Sequence, residues 1–128
     1  MARLWTLSEA NAALPKVRGL LAESRAALAA VRDVDDNLED LQIVGQSDTQ
    51  EARDLLVARG GAMRTLERCM KAFDQMGCEV KDVAQGLVDF RGQLGAEVVY
   101  LCWRDGEQGI THWHTLEGGF AARKPIPT

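Results

Sequence analysis

The hydrophobic period of this chain changes at Gly77, and that change limits the fold more than any other feature. Before Gly77, apolar residues recur every three, four or seven positions, which is typical of helices that bury one stripe. After Gly77, apolar and polar residues alternate in short runs, which is typical of strands. The 128 residues therefore predict a single α+β domain over 1–128, with a long antiparallel helical hairpin over 1–76. A small, mainly antiparallel β-sheet and a tail are predicted over 77–128.

Local signals predict where the first helices begin and end. Thr6 and Glu9 have the spacing of a capping box, in which each residue satisfies a backbone N–H near the helix start. Pro15 has no N–H to donate and restricts Leu14. We therefore expect a short helix that ends near Leu14 and a second, long helix that starts at Pro15.

The second and third helices form the predicted hairpin. Residues 45–48 interrupt the apolar stripe, and a third helix is predicted over Thr49–Met76, closed by Gly77. Helices of about 28 residues are roughly 40 Å long at 1.5 Å per residue. A compact domain of this length is roughly 30–35 Å across. We therefore expect a homo-oligomer, most simply a dimer through the hairpin. The alternative is that the sheet covers the hairpin base and the tip frays.

The second part of the chain predicts four strands and an irregular tail. Gly-containing turns are expected at 92–95 and 105–109, and the tail covers 118–128. The strands are expected at Glu79–Val83, Leu87–Arg91, Val98–Arg104 and Ile110–Leu116.

Bulk properties exclude several classes of function. The net charge of -4 gives no electrostatic support for binding to nucleic acid. No apolar run approaches the roughly 18 residues that span a bilayer, and no signal peptide is recognisable, so we expect no membrane partner. Cys69, Cys78 and Cys102 are an odd number without a C-x-x-C pair, which favours a reducing cytoplasm over a disulfide framework.

Two histidines suggest a metal site. His112 and His114 lie on the same face of a predicted strand, because side chains alternate with a period of two. They are half of a possible divalent-metal site. The alternative is a pair of histidines that are hydrogen-bonded within the protein or face solvent. In one register of the preceding strand, Cys102 opposes His112 and Tyr100 opposes His114, which with Arg104 creates a polar patch. A slip of one residue destroys the patch, and the sequence leaves the register open.

Several charged residues interrupt otherwise apolar sequence. Asp82 and Asp89 must face water or be paired, and Arg104 and Arg123 are candidate partners. One interpretation is a set of structural ion pairs; the other is an acid/base pair that includes His114. The acidic residues near the end of the second helix either form a solvent-exposed helix face or bind divalent cations weakly. These residues are Asp33, Asp35, Asp36, Glu39 and Asp40.

Motifs along the chain resemble a known family. They are Thr6–Pro15, Val80–Asp82, Gly86–Phe90, Leu101–Arg104, Gly106–Glu107, Trp113–His114 and Gly119–Arg123. The chain resembles domain-of-unknown-function family 2203, and the resemblance implies a small bacterial protein. The resemblance implies a long helical hairpin with a C-terminal β region, no established activity, and an aromatic residue where His112 stands.

The resemblance and the residue patterns predict a polar ligand-binding pocket in the C-terminal β region of a soluble homo-oligomer. Its predicted residues are Asp82, Asp89, Arg104, Glu107, His114 and Arg123. One alternative is a small metal-assisted or acid/base enzyme that uses His114 and carboxylates. A second alternative is a purely structural or assembly protein.

Overall fold

A computed structural model describes residues 3–127, which form two long helices followed by a five-stranded sheet. The helices are α1 (Leu7–Ile43) and α2 (Gln50–Met76). The strands are β1 (Glu79–Asp82), β2 (Leu87–Leu94), β3 (Glu97–Arg104), β4 (His112–His114) and β5 (Lys124–Pro125). A 3₁₀ helix, Phe120–Ala122, lies between β4 and β5. This arrangement confirms the predicted α+β class and the helical hairpin.

The helix ends have the local chemistry that the sequence indicates. Thr6 caps α1 and forms a capping box with Glu9, and Thr49 caps α2. Gly77 ends α2 with φ of 86°, a left-handed conformation that favours glycine. None of the helices in residues 3–127 is long and apolar enough to cross a bilayer.

The predicted helix break at Pro15 is wrong, because α1 continues through this residue as one helix of 37 residues. A proline inside a helix removes one backbone hydrogen bond and costs about 3 kcal/mol. Leu14 and Val17 flank Pro15, and both are buried in the core on the stripe that α1 presents to the sheet. Burying each side chain contributes about 1.5–3 kcal/mol, so continuous packing outweighs the local preference for a break.

The sheet is an antiparallel meander in which each strand pairs with its neighbours in chain order. The predicted turn at 92–95 is wrong. β2 continues to Leu94, and the turn lies at Gly95 and Ala96, where Gly95 has φ of 60°. β4 is shorter than predicted. The tail is more regular than predicted, because it contains β5, which pairs with β4.

The core lies between the hairpin base and one face of the sheet. Val88 and Phe90 of β2, with Leu101 and Trp103 of β3, face α1 and α2. Trp5 closes one edge of this core, where its ring packs edge-on against Phe90 and its indole N–H donates to the Gly77 carbonyl. The residues between these apolar positions therefore point to the opposite face of the sheet.

Candidate functional site

Three neighbouring strands place an acid, a thiol and an imidazole together on the sheet face that points away from the helices. Asp89 of β2 pairs directly with Cys102 of β3. In the β3–β4 pair, Cys102 opposes His112 and Tyr100 opposes His114, so the register that the sequence left open is the one that forms the polar patch. Asp89, Cys102, His114 and Tyr100 are all buried.

The His114 ring is held at both nitrogens. Nδ1 lies 2.7 Å from the Thr115 carbonyl oxygen, and Nε2 lies 2.9 Å from Oδ2 of Asp89. A carbonyl oxygen only accepts, so Nδ1 carries a proton and donates it to Thr115. A single proton then lies between Nε2 and Asp89. The pair is either an imidazolium with a carboxylate or a neutral imidazole with a carboxylic acid, and its net charge is zero in both cases.

Burial raises the pKa of the two acidic groups beside His114. Burial raises the pKa of Asp89 above its usual value, although the charge of His114 and hydrogen bonds from Cys102 and His114 oppose the shift. Burial, together with the nearby charge of Asp89, raises the pKa of the Cys102 thiol to about 12. Cys102 is therefore a neutral thiol near neutral pH, which does not suit a nucleophile.

A pocket of about 200 Å³ lies against this group of side chains. Asp89, Cys102 and His114 form part of its wall, and Lys81 and Tyr100 are its other polar lining residues. Its apolar lining comes from Leu87, Leu116 and Phe120. The outer wall is the segment 115–123, which we call the covering segment.

An ion pair fastens the covering segment to the sheet. The Arg123 guanidinium donates to both carboxylate oxygens of Glu107, at 3.0 and 2.8 Å. The backbone N–H of Arg104 also donates to Glu107, at 2.7 Å. Burial favours the neutral acid at Glu107, but these hydrogen bonds and the charge of Arg123 outweigh it and lower its pKa. Phe120 lies beneath Arg123, whose guanidinium carbon is 4.2 Å from the ring centroid.

The six predicted pocket residues have four different placements. Asp89 and His114 line the pocket, whereas Glu107 and Arg123 hold the covering segment beside it. Arg104 is exposed, with its guanidinium carbon 5.4 Å from the Phe120 ring centroid. Asp82 lies apart from the pocket lining, at the end of β1, where its carboxylate accepts from the backbone N–H of Gln85.

His112 and His114 do not fall together in any group of three or more candidate metal ligands among residues 3–127. His112 is half-buried, and its Nδ1 lies 2.8 Å from Oγ1 of Thr111. Among residues 3–127, the group whose candidate ligand atoms converge consists of Asp89, Cys102 and His114. In the acidic stretch of α1, Asp35 pairs with Arg59 of α2 at 2.7 Å.

Sequence reasoning left several pocket residues out of the predicted set. Cys102 and Tyr100 were recognisable only as members of a register-dependent patch. Lys81, Leu87 and Phe120 carried no signal of their own, because each looks ordinary in its local sequence. The alternation of β2, in which Asp89 lies between Val88 and Phe90, was the one local sign that a polar group is buried behind the core.

The sequence model of the family described as "Uncharacterized conserved protein (DUF2203)" matches residues 3–126. The chain belongs to this family, as its motifs indicated. No curated protein and no solved structure matches the chain.

Proposed function

We propose that this member of the DUF2203 family binds a small molecule with a carboxylate head in the pocket beneath the covering segment. The observation that carries the proposal is the buried Asp89–His114 pair in the wall of a pocket of about 200 Å³. Buried polar groups beside a pocket orient ligands because their own positions are fixed. The expected pocket residues Asp82, Arg104, Glu107 and Arg123 then support the covering segment or the sheet, rather than touch the ligand.

Charge favours an anionic ligand head. The Asp89–His114 pair has a net charge of zero in either protonation arrangement, and Cys102 is neutral. Lys81 is the remaining charged side chain of the pocket lining, so the lining carries a net positive charge. Glu79 contacts the Lys81 ammonium at 2.9 Å, and Arg91 lies 3.8 Å from the same carboxylate, so the two cations and one anion together remain positive. A carboxylate is the simplest head that these donors bind.

Size and lining favour a small, partly apolar ligand body. At about 30 Å³ for each water, a pocket of about 200 Å³ holds roughly seven waters, which suits a molecule of about ten non-hydrogen atoms. Leu87, Leu116 and Phe120 offer an apolar surface to such a body. Tyr100 adds an aromatic face, which lies on the sheet side of the pocket.

Benzoate and benzamide are matched probes for this proposal, because they share size and shape and differ in charge. We expect benzoate to bind more tightly than benzamide and to shift the NMR signals of His114 and Tyr100. Leu87→Phe fills part of the pocket without removing a polar group, so it should weaken benzoate binding by about tenfold or more. Leu4→Phe, at an exposed leucine outside the pocket lining and the hairpin end, is the matched control and should leave binding unchanged.

Two outcomes contradict the proposed pocket. One is the absence of any saturable benzoate shift in the wild-type protein. The other is a loss of benzoate affinity that is equally large in Leu87→Phe and in Leu4→Phe. If both probes fail and Asp89→Asn changes only stability, the purely structural alternative is supported instead.

Acid/base catalysis by His114 has weaker support than binding. A general base needs a nitrogen that can take a proton from a substrate. Nδ1 of His114 faces the Thr115 carbonyl, and Nε2 faces Asp89. We therefore propose binding rather than acid/base catalysis as the role of this pair.

We further propose that the protein is a homo-oligomer that associates through the outer part of the hairpin. α1 has 37 residues and is about 55 Å long, which exceeds the roughly 30–35 Å diameter expected of a compact domain of this size. Four large apolar side chains are exposed there, with Ile43 at 75% and Val57 at 73%. Val44 and Leu56 are the other two. A second copy that packs against this end removes the apolar surface from water.

Light scattering tests the oligomer, with charge introduced at the hairpin end. We expect wild-type protein to be larger than one chain and the double variant Leu56→Glu/Val57→Glu to be monomeric. Leu4→Glu, at an exposed apolar residue near the sheet, is the control and should keep the wild-type mass. A wild-type protein that is monomeric at high concentration refutes this proposal.

We also propose that the chain is one folding unit that works in the cytoplasm. Core residues of both helices and of the sheet form one cluster, which favours a single cooperative unfolding transition. Three free, buried cysteines suit a reducing compartment. Two separate calorimetric transitions would contradict the single unit.

A further inference from the structure

The inner wall of the pocket brings together three kinds of atom that transition metals bind. A carboxylate oxygen of Asp89, Sγ of Cys102 and a ring nitrogen of His114 lie within 4.8 Å of one another. All three residues are buried and belong to adjacent strands, so the sheet fixes their relative positions. We propose that Asp89, Cys102 and His114 form a three-ligand site for a divalent transition-metal ion of the zinc class, with a fourth position open to the pocket.

The hydrogen bond on the far side of the His114 ring favours this role. Metal-bound histidines almost always donate their second N–H to a carboxylate or a backbone carbonyl, which fixes the ring and its tautomer. Nδ1 of His114 makes such a bond to the Thr115 carbonyl at 2.7 Å. Nε2 consequently faces Asp89, on the side where Cys102 also lies.

The distances suit a tetrahedral ion after small movements. With zinc–sulfur bonds of about 2.3 Å and zinc–nitrogen or zinc–oxygen bonds of about 2.0 Å, ligand atoms lie roughly 3.3–3.6 Å apart. Nε2 of His114 and Oδ2 of Asp89 are 2.9 Å apart, and no pair in the group exceeds 4.8 Å. Movements of about 1 Å or less bring all three atoms to tetrahedral spacing. The ion then replaces two protons, the one that His114 and Asp89 share and the thiol proton of Cys102, and both leave to solvent.

The ligand types select the class of metal. Calcium and magnesium prefer sets of oxygen ligands and do not suit a thiol and an imidazole. A thiolate, an imidazole and a carboxylate suit zinc, and cobalt(II) binds such a set as a spectroscopic substitute. This set differs from the histidine pair that the sequence suggested, because it contains Cys102 and Asp89 and omits His112.

The open position connects the metal to the proposed ligand. Asp89, Cys102 and His114 all line the pocket, so the fourth position of a bound ion faces its interior. Sites with three protein ligands and one open position are typical of zinc ions that bind water or an external ligand. A carboxylate head coordinates such an ion directly. This last step rests on the proposed carboxylate-binding function, whereas the metal site itself does not.

Cobalt(II) titration of chelator-treated protein without a histidine tag tests the site. We expect one cobalt ion for each chain and an absorption band that reports thiolate-to-cobalt charge transfer. Cys102→Ser changes one atom, so the variant should remain folded. It should lose the band and bind cobalt(II) at least about 100-fold more weakly than the wild-type protein. His112→Gln is the matched control on the same strand and should keep the band and the affinity. Elemental analysis of the wild-type protein after incubation with zinc should give stoichiometric zinc.

Two results overturn the metal site. One is the absence of a thiolate band when wild-type protein is titrated with cobalt(II), a result that no variant is needed to obtain. The other is loss of the band in His112→Gln and its retention in Cys102→Ser.

Benzoate titrations of metal-free and zinc-loaded protein separate the two proposals. Benzoate binding without any cobalt binding overturns the metal site and leaves the pocket. Cobalt binding without any benzoate shift in either form supports the metal site and overturns the carboxylate ligand.

Discussion

Around Asp89 and Cys102, strands β2 and β3 are buried on both faces, but by different means. On the helix side, Phe90 and Trp103 have no exposed surface and pack against α1 and α2. On the other side, Asp89 is 3% exposed and is covered by a segment that has little regular structure. Apolar packing fills the first face, whereas hydrogen bonds and an ion pair close the second over a pocket. One face therefore contributes apolar packing, and the other borders the pocket that we propose for a ligand.

Truncation of the largest core residue should have the strongest effect on stability. Trp103→Ala removes a fully buried ring on the helix side and its hydrogen bond to the Glu107 carbonyl. We expect the free energy of unfolding to fall by about 3–5 kcal/mol, measured by urea denaturation. A loss under about 1 kcal/mol would mean that this face is loosely packed, which would remove the contrast between the faces.

Alanine substitutions at two glycines test how tightly the helix side and the covering segment are packed. A Cβ at Gly92 would lie 2.9 Å from both the Leu101 side chain and the Trp5 carbonyl oxygen, so Gly92→Ala should cost about 1–3 kcal/mol. A Cβ at Gly119, in the covering segment, meets nothing within 4 Å. Gly119→Ala should therefore change stability by less than about 0.5 kcal/mol. Thermal unfolding of both variants checks the pair, and equal costs would contradict the difference in packing.

The polar face should depend on satisfied hydrogen bonds. Asp89→Leu leaves Nε2 of His114 buried without a partner and should cost about 1–3 kcal/mol. In Asp89→Asn, the amide can donate to Nε2, so for a neutral pair we expect a cost below about 1 kcal/mol. Urea denaturation measures both. If Asn is as costly as Leu, His114 is an imidazolium that requires the negative charge of Asp89.

Acid should loosen the covering segment before it affects the helix side. The pKa of Glu107 is lowered, so its ion pair stabilises the fold above the unfolded-state value of 4.5. That contribution is lost as the pH falls below 4.5 and through the folded-state pKa. Glu107→Gln should cost about 1 kcal/mol near neutral pH and less in acid. Glu117→Gln, on an exposed residue, is the control, and unfolding measured across this pH range should separate the two variants.

Local chemistry made much of this fold predictable. The capping box of Thr6 and the glycine at Gly77 act within a few residues, and both mark helix ends in the structure. The alternation after Gly77 likewise predicted strands. The break at Pro15 was wrong because the packing of Leu14 and Val17 on the sheet, which no local pattern contains, outweighs the preference of proline.

The sequence by itself determined the helical hairpin, the antiparallel strands and the polar residues available to a site, because periodicity and capping depend on near neighbours. Only the tertiary structure decided that Asp89, Cys102 and His114 meet, because their meeting depends on the register of three strands. It also decided that these residues are buried, because the covering segment returns over them and Glu107 holds Arg123 there. Strand register and the path of the covering segment both bring together residues that are distant in sequence, so no local sequence pattern specifies either one.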